Sequence, residues 1–214
     1  MNERKQPIVI GIAGGTGAGK TTIVSRICSS HRGDVSVLDL DSYYKDQGQR
    51  SRDERDRLNF DDPSALDHDL LLCHLQQLRA GRSIEKPVYS FATHTRTLES
   101  QTVHPQALLL VEGIFALCDP RIRELMDLKI YLHAEPDMRL IRRLRRDVAK
   151  RGRTVSSVVT QYLKSVRPMH DRHIEPTRQF ADLIVDTTHS VDGEVMGVIE
   201  NAIAEVELRL RAER

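Results

Sequence analysis

The sequence predicts an α/β protein built on a doubly wound parallel sheet of about five strands. Three observations carry that reading. Five short, nearly continuous apolar runs recur along the chain: Ile8–Ile12, Val35–Leu40, Leu108–Val111, Lys129–Leu132 and Leu183–Val185. Unbroken rather than alternating apolarity marks a strand whose sheet is covered by helices on both faces. Segments of helical period lie between the runs. Aromatic residues make up only 4% of the chain and Trp is absent, so the core has to be aliphatic.

The first helix is expected over Thr21–Ser29, straight after the first strand. Asp67–Ala80 carries Leu at 70, 71, 72, 75 and 78, with Asp at its start and Gly81 just beyond. Pro136–Lys150 and Val155–Val166 follow as helices, and Glu194–Arg211 is a terminal amphipathic one. Pro87–Val103 differs: it is rich in Thr, Val, Tyr and Phe without helical period, and reads as a small hairpin excursion from the sheet. Asp46–Asp56 is polar and charged and reads as a mobile loop.

The 214 residues suit a single domain spanning 1–214. A net charge of +1 gives no global electrostatic case for nucleic acid or membrane partners. Cys28, Cys73 and Cys118 are odd in number and widely spaced, which argues against a disulfide framework and fits a reducing, cytoplasmic setting. His170 and His173 stand three apart with no third ligand nearby, so no zinc site is expected. Asn2–Lys5 followed by Ile8–Ala13 imitates a secretory leader, but the apolar run is too short and a glycine-rich loop follows at once.

That loop is the strongest signal. Gly14-Gly15-Thr16-Gly17-Ala18-Gly19-Lys20-Thr21 matches G-x-x-x-x-G-K-[ST] in full, after a strand and before a helix. Its glycines allow backbone N–H groups to turn around phosphate oxygens, and the helix N-terminus adds partial positive charge. Lys20 is placed for the β- and γ-phosphates and Thr21 for Mg²⁺. The GTPase base-reading motif Asn-Lys-x-Asp is absent, so a short chain with a lone phosphate loop points to a small-molecule kinase using ATP and Mg²⁺.

Ligands of doubly wound sheets bind beyond the carboxyl ends of the strands. Asp41, at the end of the second strand, is therefore a candidate to take the proton of an attacking hydroxyl, with Asp39 as its competitor. Leu108–Gly113 is an apolar strand ending in Glu112, the layout of a carboxylate that supports the Mg²⁺ shell. Farther on, Arg139, Arg142, Arg143, Arg146, Lys150 and Arg153 share one helical face, with Leu140, Leu144 and Val148 roughly opposite. The expectation is a helix that packs by its apolar side and presents guanidinium groups on the other. A solvated surface, an RNA-binding face and an arginine lid over the phosphates, spanning about 137–166, are the three readings. The phosphate loop in the same chain favours the lid, and Arg151-Gly152-Arg153 reads as its flexible end.

Taken together, these residues resemble the uridine kinase (uridine/cytidine kinase) family of P-loop kinases, from about Ile8 to Val185. The carrying pieces are the phosphate loop, Asp-Ser-Tyr-Tyr (41–44), Asn-Phe-Asp-Asp-Pro-Ser-Ala-Leu-Asp (59–67), Pro-Val-Tyr-Ser-Phe-Ala-Thr-His-Thr-Arg (87–96), Glu-Gly-Ile (112–114), Arg-Arg-Leu-Arg-Arg-Asp (142–147), Lys-Arg-Gly-Arg (150–153), Gln-Tyr (161–162) and Val-Arg-Pro-Met-His (166–170). The loop is generic; the 59–67 and 87–96 segments are far more specific. The resemblance implies phosphorylation of the 5′-hydroxyl of uridine and cytidine by ATP with Mg²⁺, in pyrimidine salvage. It makes Asp41 the catalytic base, with Lys20, Arg146 and Arg151 acting on the phosphates. Gly14, Gly15, Thr16, Gly17, Ala18, Gly19, Lys20, Thr21 and Thr22 would bind ATP, and Thr21 and Glu112 the metal. Asp61 and Arg143 would hold the ribose hydroxyls, Tyr89 and His94 the pyrimidine, and Arg153 and Gln161 further parts of the nucleoside; Tyr44 and Phe60 join the substrate-binding set. The family is commonly tetrameric. Phosphoribulokinase-like or pantothenate-kinase-like acceptors, and an ATP-gated RNA-binding protein, are the rival readings. Two departures stand out: Asp62 occupies a position where relatives usually carry His, and Asp186-Thr187-Thr188 replaces a Pro-Gly-type loop.

Overall fold

The structure, a computed structural model, describes residues 6–212; Asn2–Lys5 lies outside them. The elements in chain order are β1 (Ile8–Gly14), α1 (Lys20–Ser30), β2 (Val35–Asp39), α2 (Arg52–Asp56), α3 (His68–Arg79), β3 (Ile84–Ser90), β4 (Thr95–Val103), β5 (Leu108–Glu112), α4 (Pro120–Arg123), β6 (Leu128–His133), α5 (Pro136–Arg151), α6 (Val155–Gln161), α7 (Arg167–Met169), β7 (Leu183–Asp186) and α8 (Gly193–Ala212). Five strands form one sheet in the order β2-β5-β1-β6-β7, and each neighbouring pair runs parallel. The doubly wound fold and all five expected strands are present.

Successive side chains of a strand face opposite ways, so the unbroken apolar runs feed two cores. Ile10, Ile12, Leu110 and Ile130 meet Ile23 and Ile27 of α1 and Ile199, Ile203 and Val206 of α8. On the other face Val9, Leu109, Val111 and Tyr131 pack with Leu71, Leu75 and Leu78 of α3. Asp67 caps α3 by accepting from the Leu70 amide at 3.1 Å. Each of those three leucines is at most 1% exposed, and each contributes ~1.5–3 kcal/mol by burial.

β3 and β4 form a separate antiparallel hairpin. It starts at Ile84, three residues before the expected Pro87, and its register shifts between Pro87 and Tyr89; proline cannot donate to the ladder there. The Asp46–Asp56 stretch is not all loop. Ser51 and Glu54 make a reciprocal capping box that starts α2, a Ser-x-x-Glu signature the polar composition masked. The expected Val155–Val166 helix is α-helical only to Gln161. π turns follow at Tyr162–Val166 and His170–Ile174, flanking Arg167–Met169. Pro168 has no N–H for the carbonyl of Lys164, and the ladder widens on either side of it.

The largest departure concerns α5. Arg139 and Arg143 are buried, and Asp147 is fully so, while Ile141 and Val148 stand 40% and 42% exposed. The helix packs chiefly by its arginine face; of the expected apolar stripe Val148 is exposed and Leu140 and Leu144 are half-buried, so that stripe does only part of the packing. Nor is its end loose: Gly152 adopts a left-handed cap whose N–H bonds to the Asp147 carbonyl.

Two side chains fasten the hairpin to the end of β2 and the segment after it. Arg96 donates from Nε to the Tyr44 carbonyl at 2.9 Å and from Nη2 to Asp67 at 3.1 Å. Lys86, itself buried, pairs with Asp39. Arg96→Met should leave the sheet intact but cost ~1–3 kcal/mol for the carbonyl and carboxylate left behind. Hydrogen exchange should rise in Ile84–Val103 well before the sheet opens; unchanged hairpin protection would refute the fastening.

Candidate active site

β1 ends at Gly14, and the chain turns through Gly15–Gly19 into α1. Gly14 has φ +143° and Gly17 φ +81°, and a Cβ on either would lie 2.5 Å from the Leu132 carbonyl oxygen or 2.4 Å from that of Arg139. Only glycine fits both demands. Lys20 folds back over the loop, with Nζ donating to the carbonyls of Gly14 (2.9 Å) and Gly15 (3.2 Å). Burial pulls its ammonium below the usual lysine range, while Glu112 and Asp41 pull the other way. Thr187, fully buried at the end of β7, ties the loop down by donating to the Ala18 carbonyl at 2.8 Å.

The sheet register brings the acids together. Ile12 and Asp39 both pair with Glu112 across β5. Glu112 Oε2 is buried with no hydrogen-bond partner, and burial raises its carboxyl, with Lys20 opposing. Among the described residues no cluster of three or more His, Cys, Asp or Glu side chains could hold a metal alone. One free carboxylate oxygen beside Thr21 nonetheless suits a hard cation such as Mg²⁺, which takes few protein ligands and completes its shell with phosphate and water.

The two strand-end aspartates part company. β2 stops at Asp39, which caps the 3₁₀ turn Leu40–Tyr43 by accepting from the amide (3.0 Å) and hydroxyl (2.6 Å) of Ser42, and also pairs with Lys86. Asp41, inside that turn, faces the cleft and carries no hydrogen bond among the described residues. It is open to the water of the cleft, yet the surrounding protein pushes its carboxyl up; Lys20 opposes this and Asp39 adds to it.

A cleft of about 1180 Å³ opens from this corner. Lys20, Thr21, Asp41 and Glu112 stand at its floor. Thr16, Tyr44, Phe60, Asp61, Tyr89, His94, Arg143, Arg146, Arg151, Arg153 and Gln161 line the rest. Thr22 does not line it and lies exposed on α1. The aromatic wall is tight. Tyr44 meets Tyr89 (5.3 Å between centroids) and Phe60 (5.7 Å), and His94, at φ +56° in the hairpin turn, stacks on Phe60 at 4.6 Å. Burial pushes the Tyr89 phenol up to about 12, and its buried Oη has no hydrogen-bond partner. Across the cleft, Asp61 accepts from Ser165 at 2.6 Å and Gln161 at 3.5 Å. Gln161 in turn accepts from Arg143 at 3.0 Å and from Arg153. Asp62 points elsewhere, accepting from the Ser64 amide at 2.9 Å.

Sequence reasoning missed several contributors. Phe91 closes the aromatic wall and lies beneath the Arg151 guanidinium at 5.1 Å. Ser165 is set against Asp61 by the π turn, and no local signal announces it. His170, buried beside Gly15, is held near pKa 4 by burial and the Arg139 charge, although Glu175 pulls upward.

A family model described as Phosphoribulokinase / Uridine kinase family matches residues 9–194. The chain belongs to that family. It is 49% identical over 182 residues to a uridine kinase of Clostridium perfringens, covering 85% of this chain and 88% of that one. It is equally identical to a uridine kinase of Halalkalibacterium halodurans, covering 85% and 86%. Solved structures similar in fold include D-glycerate 3-kinase from Cryptococcus neoformans (15% identity, TM-score 0.66, covering 87% and 88%) and phosphoribulokinase from Rhodobacter spheroides (17%, 0.65, 86% and 71%). The chain is thus a kinase, and its family uses ATP as phosphate donor.

Asp41, unengaged in the cleft, and Asp39, held on two sides, should respond differently to loss of charge. Asp41→Asn is expected to lower kcat by on the order of 10²–10⁴ with ATP affinity near wild type. Asp39→Asn should lose less. Steady-state kinetics on both decides the matter, and a crippled Asp39→Asn beside an active Asp41→Asn would reverse the assignment.

Proposed function

We propose that this kinase phosphorylates the 5′-hydroxyl of uridine and cytidine, forming UMP and CMP in cytoplasmic pyrimidine salvage. The observation that carries the reading is the cleft itself: a free carboxylate beside the phosphate loop at one end, and an aromatic slot with an unpartnered phenol at the other. The relatives' names agree with it.

In this reading Gly14–Thr21 cradle the triphosphate of ATP, and Lys20 releases its loop carbonyls for the β- and γ-phosphates. Thr21 and Glu112 would hold Mg²⁺, which supplies charge neutralisation on the phosphates. Asp61 and Arg143, linked through Gln161, hold the ribose hydroxyls; Tyr89 and His94 read the pyrimidine between Tyr44 and Phe60, and Arg153 backs Gln161. Asp41 accepts the 5′-hydroxyl proton as that oxygen bonds to the γ-phosphorus. The bond to the β–γ bridging oxygen breaks and ADP leaves. Arg146 and Arg151 neutralise charge on the phosphoryl group in flight. The arginine face of α5 is turned inward on the phosphate loop, which favours the lid over nucleic-acid binding. Ile141 and Val148, exposed on α5, are consistent with the tetramer implied by the family resemblance.

A site built to hydrogen-bond a hydroxyl rejects the analogue lacking it by up to ~10⁴-fold, because its own groups are left unpaired. Uridine should therefore greatly outperform deoxyuridine, cytidine should also be used, and adenosine should be poor. Comparing kcat/KM across the four tests this: equal use of uridine and deoxyuridine would remove the ribose role of Asp61 and Arg143, and adenosine as best substrate would overturn the pyrimidine reading. The pH profile gives an independent check. Asp41 must be ionised to act, and its pKa is raised, so kcat/KM for uridine should fall on acidification with a midpoint above the ordinary aspartate value of ~3.9.

A further inference from the structure

Four of the cleft arginines converge on one carboxylate. Asp147 of α5 has no exposed surface. Its Oδ1 accepts from Arg146 Nε at 2.9 Å and lies 3.5 Å from Arg151 Nη1; its Oδ2 lies 3.5 Å from Arg143 Nε and 3.9 Å from Arg153 Nη1. Helical spacing sets Arg143 and Arg151 one turn to either side of it on the same face. The left-handed cap at Gly152 then reverses the chain, with the amides of Gly152 and Arg153 both bonding to the Asp147 carbonyl. That turn carries Arg153 back to a carboxylate six residues behind it.

We propose that Asp147 is a positioning residue, the anion that gathers Arg143, Arg146, Arg151 and Arg153 into one cluster held over the phosphate loop. The proposal deepens the phosphoryl-transfer reading above and rests on it. Four guanidinium groups on long side chains repel one another and would spread into water; one central carboxylate holds them while leaving the cluster strongly cationic. That surplus faces the loop: Arg143 Nη1 (3.3 Å) and Arg146 Nη2 (3.4 Å) both donate to the Thr16 hydroxyl. Charge aimed in advance at a transferring phosphoryl group needs no rearrangement in the transition state. The bonding is also incomplete. Asp147 Oδ2 and Arg143 Nε are both buried without a hydrogen-bond partner. An ion pair kept only for stability gains by closing that gap; a cluster shaped by what it is to bind need not.

The test is Asp147→Asn, which keeps the shape and removes the charge, assayed on whichever acceptor the wild-type enzyme uses. Failure of the nucleoside assignment would show in the wild type and is thereby separate from failure of this proposal. The expected result is a fall in kcat of about 10²-fold, with acceptor KM changed far less, and rescue of kcat in part by Asp147→Glu. A lowered melting temperature with kcat intact below it would mean a structural role only and would overturn the proposal. Should Asp147→Asn fail to fold, Arg146→Ala and Arg153→Ala provide the reading, since these two partly exposed arginines share the carboxylate from opposite sides of the turn. Their combined effect on kcat should be less than the product of the single effects. Multiplicative losses would show that no shared anchor couples them.

Discussion

The parallel pairing of β1 between β5 and β6 is the constraint on which the site depends. Register sets Ile12 opposite Glu112 and Gly14 opposite Leu132. The phosphate loop therefore begins beside a carboxylate on one flank and the start of the α5 connection on the other. β2, paired to the far side of β5, delivers Asp39 level with Glu112. A one-residue slip in any of these pairs would turn the strand-end side chain to the other face. The two apolar cores hold the register and bring Lys20, Asp41 and Glu112 to one corner without any of the three being adjacent in sequence. The core on the α3 side is not purely aliphatic, since it includes Tyr43, Phe115 and Tyr131 and runs through Tyr44 into the aromatic wall of the cleft.

Charge then decides the orientation of α5. An amphipathic helix ordinarily buries its apolar stripe, and by that rule Leu140, Leu144 and Val148 should face inward. Here the inward face is polar because it finds partners: the carbonyls of Gly17, Thr187 and Thr188 for Arg142, that of Ala134 for Arg139, and Asp147 for the rest. Buried charge is tolerable when paired or hydrogen-bonded. Such partners come from distant segments and are invisible to a helical-wheel reading, which sees only which residues share a face. The periodicity grouped the arginines correctly; the partners that bury Arg139 and Arg143 are what it does not contain.

The same division runs through the rest of the molecule. The strands, the phosphate loop, α3 and the long helices were legible because each follows from a local rule of period, cap or glycine spacing. Glu112 was legible because a strand end has a fixed place in a doubly wound sheet. Asp41 was located by that rule but not separated from Asp39; only the Ser42 cap and the Lys86 pair, both tertiary or turn-specific, tell them apart. Ser165 and Phe91 were missed for a related reason: π turns and hairpin tips place side chains according to where distant elements lie, and composition carries no trace of it. The Ser51–Glu54 capping box is different, since its pattern stood in the sequence and was outweighed by the polarity around it.

The hairpin links the two ends of the cleft. Its inner face carries Tyr89 and His94, while Lys86 on the same strand as Tyr89 grips Asp39, and Arg96 on the returning strand grips the Tyr43–Tyr44 backbone and Asp67. Those anchors bracket the 3₁₀ turn that presents Asp41. The aromatic slot is therefore bonded directly to the turn bearing the free carboxylate, and the Lys86 pair on Asp39 shares the carboxylate that caps that turn. The slot and the carboxylate are thus joined by direct side-chain contacts, so in the proposed reading filling the slot and aligning Asp41 draw on the same contacts.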